Sequence, residues 1–192
     1  MVGLELSTAF EFHAAHRLPN HNGLCRRLHG HTYRGKVSVV CAVDANTSPS
    51  MLIDFFTLSA AVSHVVEALD HTTILNGESD SMAQVITACQ DNHVLLLDAD
   101  PTVECLSRIV ADNVYQCLAR VAPEVVIGSI LVDMAESSTT NCRLSVSRVV
   151  ITSSQQPTVR RSYWTATESG HNHVIVPGIW RADTAPARSA PT

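Results

Sequence analysis

Two long stretches near the N-terminus alternate between apolar and polar residues, and this alternation is the strongest constraint on the fold. In residues 4–16 the even positions are mostly apolar and end at His16, whereas the odd positions are mostly polar. In residues 29–43 the odd positions carry His29, His31 and then mostly apolar side chains. A period of two is typical of a strand with one buried face, because successive side chains point to opposite faces. The sequence therefore predicts two long strands that pair as a hairpin.

The predicted hairpin brings three histidines together at one end of its buried face. Pairing the two strands places His16 close to His29 and His31, and Cys25 lies in the connecting loop. An isolated His-x-His pair is more often two ordinary histidines, but the third histidine and the shared face favour a metal site. Catalytic zinc sites typically have three protein ligands and one open position. We therefore predict that these three histidines bind zinc, whereas His13 points to the opposite face and is not expected to be a ligand.

The sequence around Cys25 favours a reactive thiolate over a small buried side chain. The segment is glycine-containing, which is typical of a loop, and nearby cations stabilise a thiolate. Five basic residues lie close to the histidines in the sequence: Arg17, Arg26, Arg27, Arg34 and Lys36. They could help to bind an anionic substrate, or they could form a solvated rim.

Two segments with apolar residues at helical spacing follow the hairpin. Asp54 is the expected N-cap of the first helix, which should end near Asp70 and His71. Thr102 is the expected N-cap of the second helix, which Pro123 ends. Between the two helices, we expect a turn at 76–77, then a short helix within 80–90 and an additional strand at 93–98.

The last regular elements are two further strands. Residues 125–136 form the predicted third strand, which ends at Glu136, and residues 142–146 form the fourth, after a turn. The order is two strands, two helices with an insertion between them, and two strands. We therefore predict an α+β fold with a four-stranded antiparallel sheet and both helices on one face.

Length and composition fit one folded domain followed by an extension. The chain has 192 residues, of which 45% are hydrophobic, enough to build a substantial core. Its character changes after residue 151, so the expected division is 1–151 and 152–192, with disorder expected from residue 182. Within the extension, 163–165 and 173–176 could pair as an extra hairpin, and the second His-x-His at 171–173 lacks a third partner.

Charge and cysteine usage exclude several classes of protein. A net charge of −5 argues against a general nucleic-acid binder. The sequence has no apolar run of membrane-spanning length and no signal-sequence pattern at its start, so a cytoplasmic location is the default expectation. The six cysteines lack disulfide-like spacing, and we expect reduced thiols.

Four short motifs then occur in an order that points to one family. They are Phe-His-Ala-Ala-His-Arg-Leu-Pro at 12–19, Cys-x-x-x-His-Gly-His at 25–31, Leu-Asp-His at 69–71 and Pro-Thr-x-Glu at 101–104. Together they resemble the 6-pyruvoyltetrahydropterin synthase / 6-carboxytetrahydropterin synthase family, which has the tunnelling fold (T-fold). The resemblance covers roughly residues 4–146.

The resemblance implies specific roles for the motif residues. The three histidines would bind zinc, and Cys25 would be the base that abstracts a proton. Asp70 and His71 would complete the relay, and in this family that pair reaches the cysteine from a neighbouring subunit. A homo-oligomer, a hexamer by resemblance, with active sites between subunits is therefore implied.

The same resemblance implies how a pterin would be bound. Glu104 matches the pterin-anchoring glutamate, and Thr102 belongs to the same substrate-binding motif. A carboxylate can accept two hydrogen bonds from an aminopyrimidine edge, although Glu104 could also simply compensate the helix dipole. Glu136 matches an acidic residue at the end of the third strand and is grouped with the catalytic residues. Because it ends an apolar face, it needs a ligand, a partner or solvent.

The implied substrate is 7,8-dihydroneopterin triphosphate, and two products are possible. One is 6-carboxytetrahydropterin, formed with release of acetaldehyde and triphosphate on the route to queuosine and other 7-deazapurines. The other is 6-pyruvoyltetrahydropterin, which keeps the three-carbon chain. The short spacing from cysteine to histidine favours the carboxy product. Alternatives are a pterin- or purine-binding zinc protein without activity and a three-histidine zinc hydrolase. The segment 77–100 is longer than in compact members of the family.

Overall fold

The computed structural model describes residues 2–43, 51–89 and 93–147, together with the backbone of residues 173 and 174. Within these residues, seven strands form one sheet. The strands are β1 Val2–His16, β2 His29–Val43, β3 Thr72–Asn76, β4 Val94–Leu97, β5 Ile127–Ala135, β6 Cys142–Ser147 and β7 His173–Val174. The α-helices of the same residues are α1 Phe55–Glu67, α2 Met82–Thr87 and α3 Val103–Val121.

The predicted hairpin is confirmed along its whole length. β1 and β2 pair antiparallel without interruption, from Val2 opposite Val43 to His16 opposite His29. The expected alternation is also present, because Phe12 and His16 are buried whereas His13 is exposed. The hairpin is therefore the centre of the sheet, and one of its faces belongs to the core.

The sheet is larger than the four antiparallel strands that the sequence predicted. Its strand order is β6-β5-β2-β1-β3-β4-β7, and the predicted four strands form the antiparallel half β6-β5-β2-β1. The insertion strand that the sequence predicted is β4, but β3 was missed, because no element was predicted between the helix end near His71 and the turn at 76–77. β3 runs parallel to β1, and β4 runs parallel to β3. The sheet is therefore mixed.

A single backbone reversal explains the missed strand. His71 has a left-handed φ of 57°, and its N–H donates to the carbonyl of His13 at 2.6 Å. This turns the chain after α1 so that Thr72 enters the sheet beside Ala14. Such a reversal has no clear sequence signal when the residue that carries it is not a glycine.

The helix boundaries agree with the expected caps. Asp54 accepts a hydrogen bond from the Phe56 N–H at 3.3 Å, and Thr102 accepts one from the Cys105 N–H at 3.3 Å. α1 ends at Glu67, slightly before its predicted end, and α2 is the short helix expected in the insertion. No helix in the described part of the chain has the length and apolar character needed to cross a membrane.

The core lies between the sheet and the two long helices. Fully buried side chains from both layers contact each other there, including Phe12, Tyr33, Leu58, Leu106 and Leu118. Burying each such side chain stabilises the fold by roughly 1.5–3 kcal/mol. A second, smaller cluster packs α2 against β3 and β4: Leu75, Ala83, Ile86 and Val94. The insertion therefore has a small core of its own.

The extra hairpin predicted in the extension falls largely on residues that the structure does not describe. Its first half, 163–165, lies outside the described residues, as do most residues of the second His-x-His. β7 pairs in parallel with β4 instead, with His173 opposite Leu95.

Gly35 is the position of the central hairpin that should tolerate a side chain least. A Cβ there would overlap the carbonyl oxygen of Asp133 and would lie 2.5 Å from Cζ of Phe10. We expect Gly35→Ala to lower the free energy of unfolding by about 1–3 kcal/mol, because overpacking forces strand and ring apart. The matched control is Gly3→Ala in the same hairpin, where the nearest atom is an ordinary 3.7 Å away. Urea denaturation of both variants measures the difference, and equal midpoints would contradict the prediction.

Candidate active site

Three imidazoles converge at the end of the central hairpin, as the sequence predicted. The ring centroids of His16 and His29 are 4.6 Å apart, those of His16 and His31 are 5.1 Å apart, and those of His29 and His31 are 4.9 Å apart. One nitrogen of each ring lies within 4.8 Å of the others, and this cluster could hold a metal ion. The register produces it directly, because His16 faces His29 and His31 follows two residues later on the same face.

Backbone carbonyls orient two of the rings. Nδ1 of His16 lies 2.7 Å from the carbonyl oxygen of Pro101, and Nδ1 of His29 lies 2.7 Å from that of Arg27. A ring nitrogen can only donate to a carbonyl, so the proton of each neutral ring is on Nδ1 and the lone pair is on Nε2. This is the usual arrangement behind metal-binding histidines.

The Nε2 atom of His16 gives a direct test of whether a metal ion fits. It is buried and has no hydrogen-bond partner among the described residues. A buried polar atom without a partner is costly, and coordination of a metal ion would satisfy it. Within the described residues, the cluster contains three imidazoles and no carboxylate or thiol, a donor set that suits zinc and other imidazole-binding metals.

The protonation of His16 suits the same role. The pKa of His16 is lowered to about 4, mainly by burial and also by the neighbouring rings of His29 and His31, although the hydrogen bond to Pro101 opposes this shift. The ring is therefore neutral at pH 7. Binding of a metal ion would not have to displace a proton from it.

Tyr33 packs against the histidine cluster inside the core. The sequence did not predict this role. The ring of Tyr33 is fully buried, stacks on Phe12 at 4.7 Å and lies 6.1 Å from the ring of His16 and 5.7 Å from that of His31. Burial raises the pKa of Tyr33, and the carboxylate of Glu136 raises it further through charge and a hydrogen bond. The hydroxyl therefore stays protonated and donates to Glu136. This bond is the partner that a half-buried Glu136 needs.

Cys25 lies in the loop that joins β1 to β2. It is half-buried in a short 3-10 turn, Leu24–Arg26, and its carbonyl accepts a hydrogen bond from the Leu18 N–H at 2.8 Å. The loop starts directly after His16 and ends directly before His29, so the thiol lies at the same end of the sheet as the histidine cluster. It is not one of the clustered ligand atoms.

Asp70 and His71 form a hydrogen-bonded pair. Nδ1 of His71 lies 2.7 Å from Oδ2 of Asp70, and the N–H of His13 donates to Oδ1 of Asp70 at 2.7 Å. The bond from His13 holds the pKa of Asp70 below its usual value, and the contact with His71 adds to this effect. The His71 side chain is 78% exposed and shares an open cavity of about 460 Å³ with His31. Cys25 is not among the residues that line this cavity.

One hydrogen bond holds the start of α3 beside the histidine cluster. Pro101, whose carbonyl binds His16, directly precedes Thr102, and the first turn of the helix carries the exposed Glu104. Thr102 uses its hydroxyl as the helix cap. The structure thus brings the predicted substrate-binding motif to the same end of the sheet as the histidine cluster.

The five basic residues near the histidines behave differently from one another. Arg17 is neither a solvated rim residue nor a free cation, because it is mostly buried and forms an ion pair with Asp80 at 3.3 Å. Two others form exposed ion pairs with strand β1, namely Arg34 with Glu11 and Lys36 with Glu5. Arg26 and Arg27, next to Cys25, are exposed.

Comparison with known proteins assigns the chain to a family. A family model described as 6-pyruvoyl tetrahydropterin synthase matches residues 5–146, most of the chain. The chain belongs to the 6-pyruvoyl tetrahydropterin synthase family. The match spans the hairpin, both long helices and strands β5 and β6, so the family resemblance that the motifs indicated is confirmed.

Curated relatives share one name. A 6-carboxy-5,6,7,8-tetrahydropterin synthase of Synechocystis is 45% identical over 65 residues, which are 32% of this chain and 50% of that protein. Proteins of the same name from Haemophilus influenzae and Rickettsia felis are 33% identical over 88 residues and 26% identical over 113 residues. These matches cover 45% and 58% of this chain, and 62% and 80% of the relatives. The chain thus spans about half the length of the Synechocystis relative that it matches.

Solved structures show the same fold at low sequence identity. The 6-pyruvoyltetrahydropterin synthase of Plasmodium vivax has a TM-score of 0.59 and 17% identity, covering 77% of this chain and 100% of that one. The Plasmodium falciparum enzyme has a TM-score of 0.57 and 20% identity, with coverage of 76% and 99%. The predicted T-fold is therefore confirmed for the core.

The geometry predicts which histidines bind a metal ion. His29→Ala should weaken zinc binding by at least about 100-fold, because it removes one of three ligands, a larger loss than that of an outer contact. His13→Ala is the control, since His13 lies on the opposite face of the same strand pair and outside the cluster. Zinc titration of the metal-free proteins measures both. Equal affinities for the two variants would show that the cluster does not bind the metal.

Proposed function

We propose that this chain is a zinc-dependent lyase that converts 7,8-dihydroneopterin triphosphate to 6-carboxy-5,6,7,8-tetrahydropterin, with release of acetaldehyde and triphosphate. The observation that carries this proposal is the histidine cluster with the buried, unpartnered Nε2 of His16. Family membership and the shared name of the curated relatives support the substrate class and the product. The product would be an early intermediate on the route to queuosine and other 7-deazapurines.

His16, His29 and His31 would hold the zinc ion. When bound, the ion supplies a Lewis acid and a template for the hydroxyl groups of the substrate side chain. The protein keeps the three rings in place through the carbonyls of Pro101 and Arg27 and through the ring of Tyr33. These contacts set the direction of the ligand atoms before any metal binds.

Cys25 and the Asp70–His71 pair would move the protons. The thiolate of Cys25, with exposed arginines on its C-terminal side, would remove a proton from the substrate side chain. His71 binds Asp70 through Nδ1, which leaves Nε2 to donate or accept the next proton. The high exposure of His71 suits a role in the site of a neighbouring subunit, as the family resemblance implies for a homo-oligomer.

The substrate would be held by residues around the cluster. Glu104 would accept two hydrogen bonds from the aminopyrimidine edge of the pterin, with Thr102 at the start of the same helix. Glu136, fixed by the hydroxyl of Tyr33, would act next to the reacting side chain. Arg26 and Arg27 are the exposed cations nearest to Cys25 in the chain and would face the triphosphate.

A second product has a specific observation in its favour. The matching family model and the solved Plasmodium structures are described as 6-pyruvoyl tetrahydropterin synthases. That reaction eliminates triphosphate without cleaving the three-carbon chain. The three-residue spacing between Cys25 and His29 favours the carboxy product.

Product analysis decides between these functions. Zinc-loaded protein incubated with 7,8-dihydroneopterin triphosphate should release acetaldehyde and form 6-carboxytetrahydropterin, identified by mass spectrometry. Formation of 6-pyruvoyltetrahydropterin without acetaldehyde would support the second product. Pterin binding without turnover would overturn the proposed lyase in favour of a binding protein, and hydrolysis of a simple ester alone would point to a zinc hydrolase.

Replacement of the proposed base separates chemistry from metal binding. Cys25→Ala should keep the zinc and the oligomer but lower the rate by about 100- to 10,000-fold, because proton transfer loses its base. Cys89→Ala is the control, since this exposed thiol lies in the insertion. Acetaldehyde release and zinc content are measured together on both variants. A Cys25→Ala variant that works at nearly the wild-type rate would disprove the assignment of the base.

A further inference from the structure

Buried polar contacts connect the metal ligand His16 to both ends of the insertion, residues 77–100. Nδ1 of His16 donates to the carbonyl of Pro101, directly after the insertion. The side chain of Asp100 accepts a hydrogen bond from Nδ2 of Asn76 at 2.8 Å, and the carbonyl of Asp100 accepts one from the N–H of Thr102, also at 2.8 Å. Asn76 immediately precedes the insertion. The side-chain amide of Asn76 therefore links the two ends of the insertion, next to the Pro101 carbonyl that orients His16.

A second set of contacts joins the residue after His16 to the first part of the insertion. Arg17 directly follows His16, and its Nε lies 3.3 Å from Oδ2 of Asp80, whose side chain is fully buried. Neither atom has a hydrogen-bond partner among the described residues, so their ion pair compensates the burial of both charges. The backbone of Asp80 is fixed in turn, because its N–H donates to the carbonyl of Asn76 at 3.1 Å.

These contacts form a closed circuit, which we call the polar ring: His16, Pro101, Asp100, Asn76, Asp80 and Arg17. Asn76 is the residue with most connections in it. Besides donating to Asp100, it accepts hydrogen bonds at Oδ1 from the N–H groups of Glu78 and Ser79, each at 3.0 Å, and its side chain is buried. A network of hydrogen bonds and one ion pair in a largely buried setting restricts the geometry that its members can adopt.

We infer that Asn76 is a positioning residue for the metal ligand His16, and that the insertion is thereby part of the metal site. The inference rests on the zinc site of the proposed function, and it does not depend on which reaction the site performs. The bond from Asn76 holds Asp100, and Asp100 precedes the carbonyl that sets the direction of the His16 ring. Contacts behind a metal-binding histidine fix the orientation of its ring and its tautomer, and their loss lowers metal affinity.

The substitution Asn76→Asp isolates the bond that matters. It keeps an oxygen for the N–H groups of Glu78 and Ser79, but it replaces the amide donor by a carboxylate that faces Asp100. We expect zinc affinity to fall by about 10- to 100-fold, the usual effect of losing an outer contact of a metal site. The double variant Asn76→Asp/Asp100→Asn reverses the donor and the acceptor and should restore most of that affinity. Asp100→Ala breaks the same bond from the other side and should act like Asn76→Asp.

A matched control separates positioning from stability. Ile86→Ala lies in the same insertion, but it removes a side chain of the small second core and leaves the polar ring intact. It should lower the urea midpoint without changing zinc affinity. Zinc binding of Asn76→Asp as tight as in the wild type, or an equal loss in Ile86→Ala, would overturn the inference.

A second readout does not require the metal. In the zinc-free wild type, the Nδ1 proton of His16 is buried and hydrogen-bonded, so its exchange with water, followed by NMR, should be slow. Exchange should become faster in Asn76→Asp and should be slow again in the double variant. A wild-type protein that binds no zinc would overturn the proposed function, whereas unchanged exchange in Asn76→Asp would overturn the positioning role of Asn76.

Discussion

The pairing register of β1 with β2 is the constraint on which the site depends. Fifteen consecutive residue pairs, from Val2 with Val43 to His16 with His29, fix which side chains enter the core and which lie at its end. A shift by one residue would move all these side chains to the opposite face. The large buried side chains Phe12 and Tyr33 lie on the same face as the histidines, so the packing that stabilises the sheet also specifies the metal cluster.

Sequence patterns among neighbouring residues were enough to predict the two long strands, the face that carries the histidines and the helix starts. The period of two located both long strands and the face of His16, His29 and His31, and the caps at Asp54 and Thr102 gave the helix starts. The histidine cluster could be predicted because the positions of its three rings follow from one register. The carbonyl of Pro101, in contrast, lies 85 residues from His16 in the chain, and no local pattern indicates that contact.

The errors arose where a partner is distant in sequence. β3 is short and pairs in parallel with β1, so the few residues between the predicted helix end and the predicted turn gave no strand pattern of their own. Asn76 was assigned to a turn, but its side chain bridges to Asp100, 24 residues later. Arg17 was grouped with the cations near the histidines, but its partner Asp80 lies beyond α1 and β3. In all three cases one partner lies in β3 or in the insertion that follows it, and the contact is long-range.

The left-handed backbone of His71 has an energetic cost that a glycine at this position would avoid. A residue other than glycine costs of order 1–2 kcal/mol in that conformation, so glycine there would give a more stable fold. Glycine would, however, lack the imidazole that forms a hydrogen bond with Asp70. The backbone cost at His71 therefore comes with an imidazole that lines an open cavity, which is the placement that the proposed proton transfer needs.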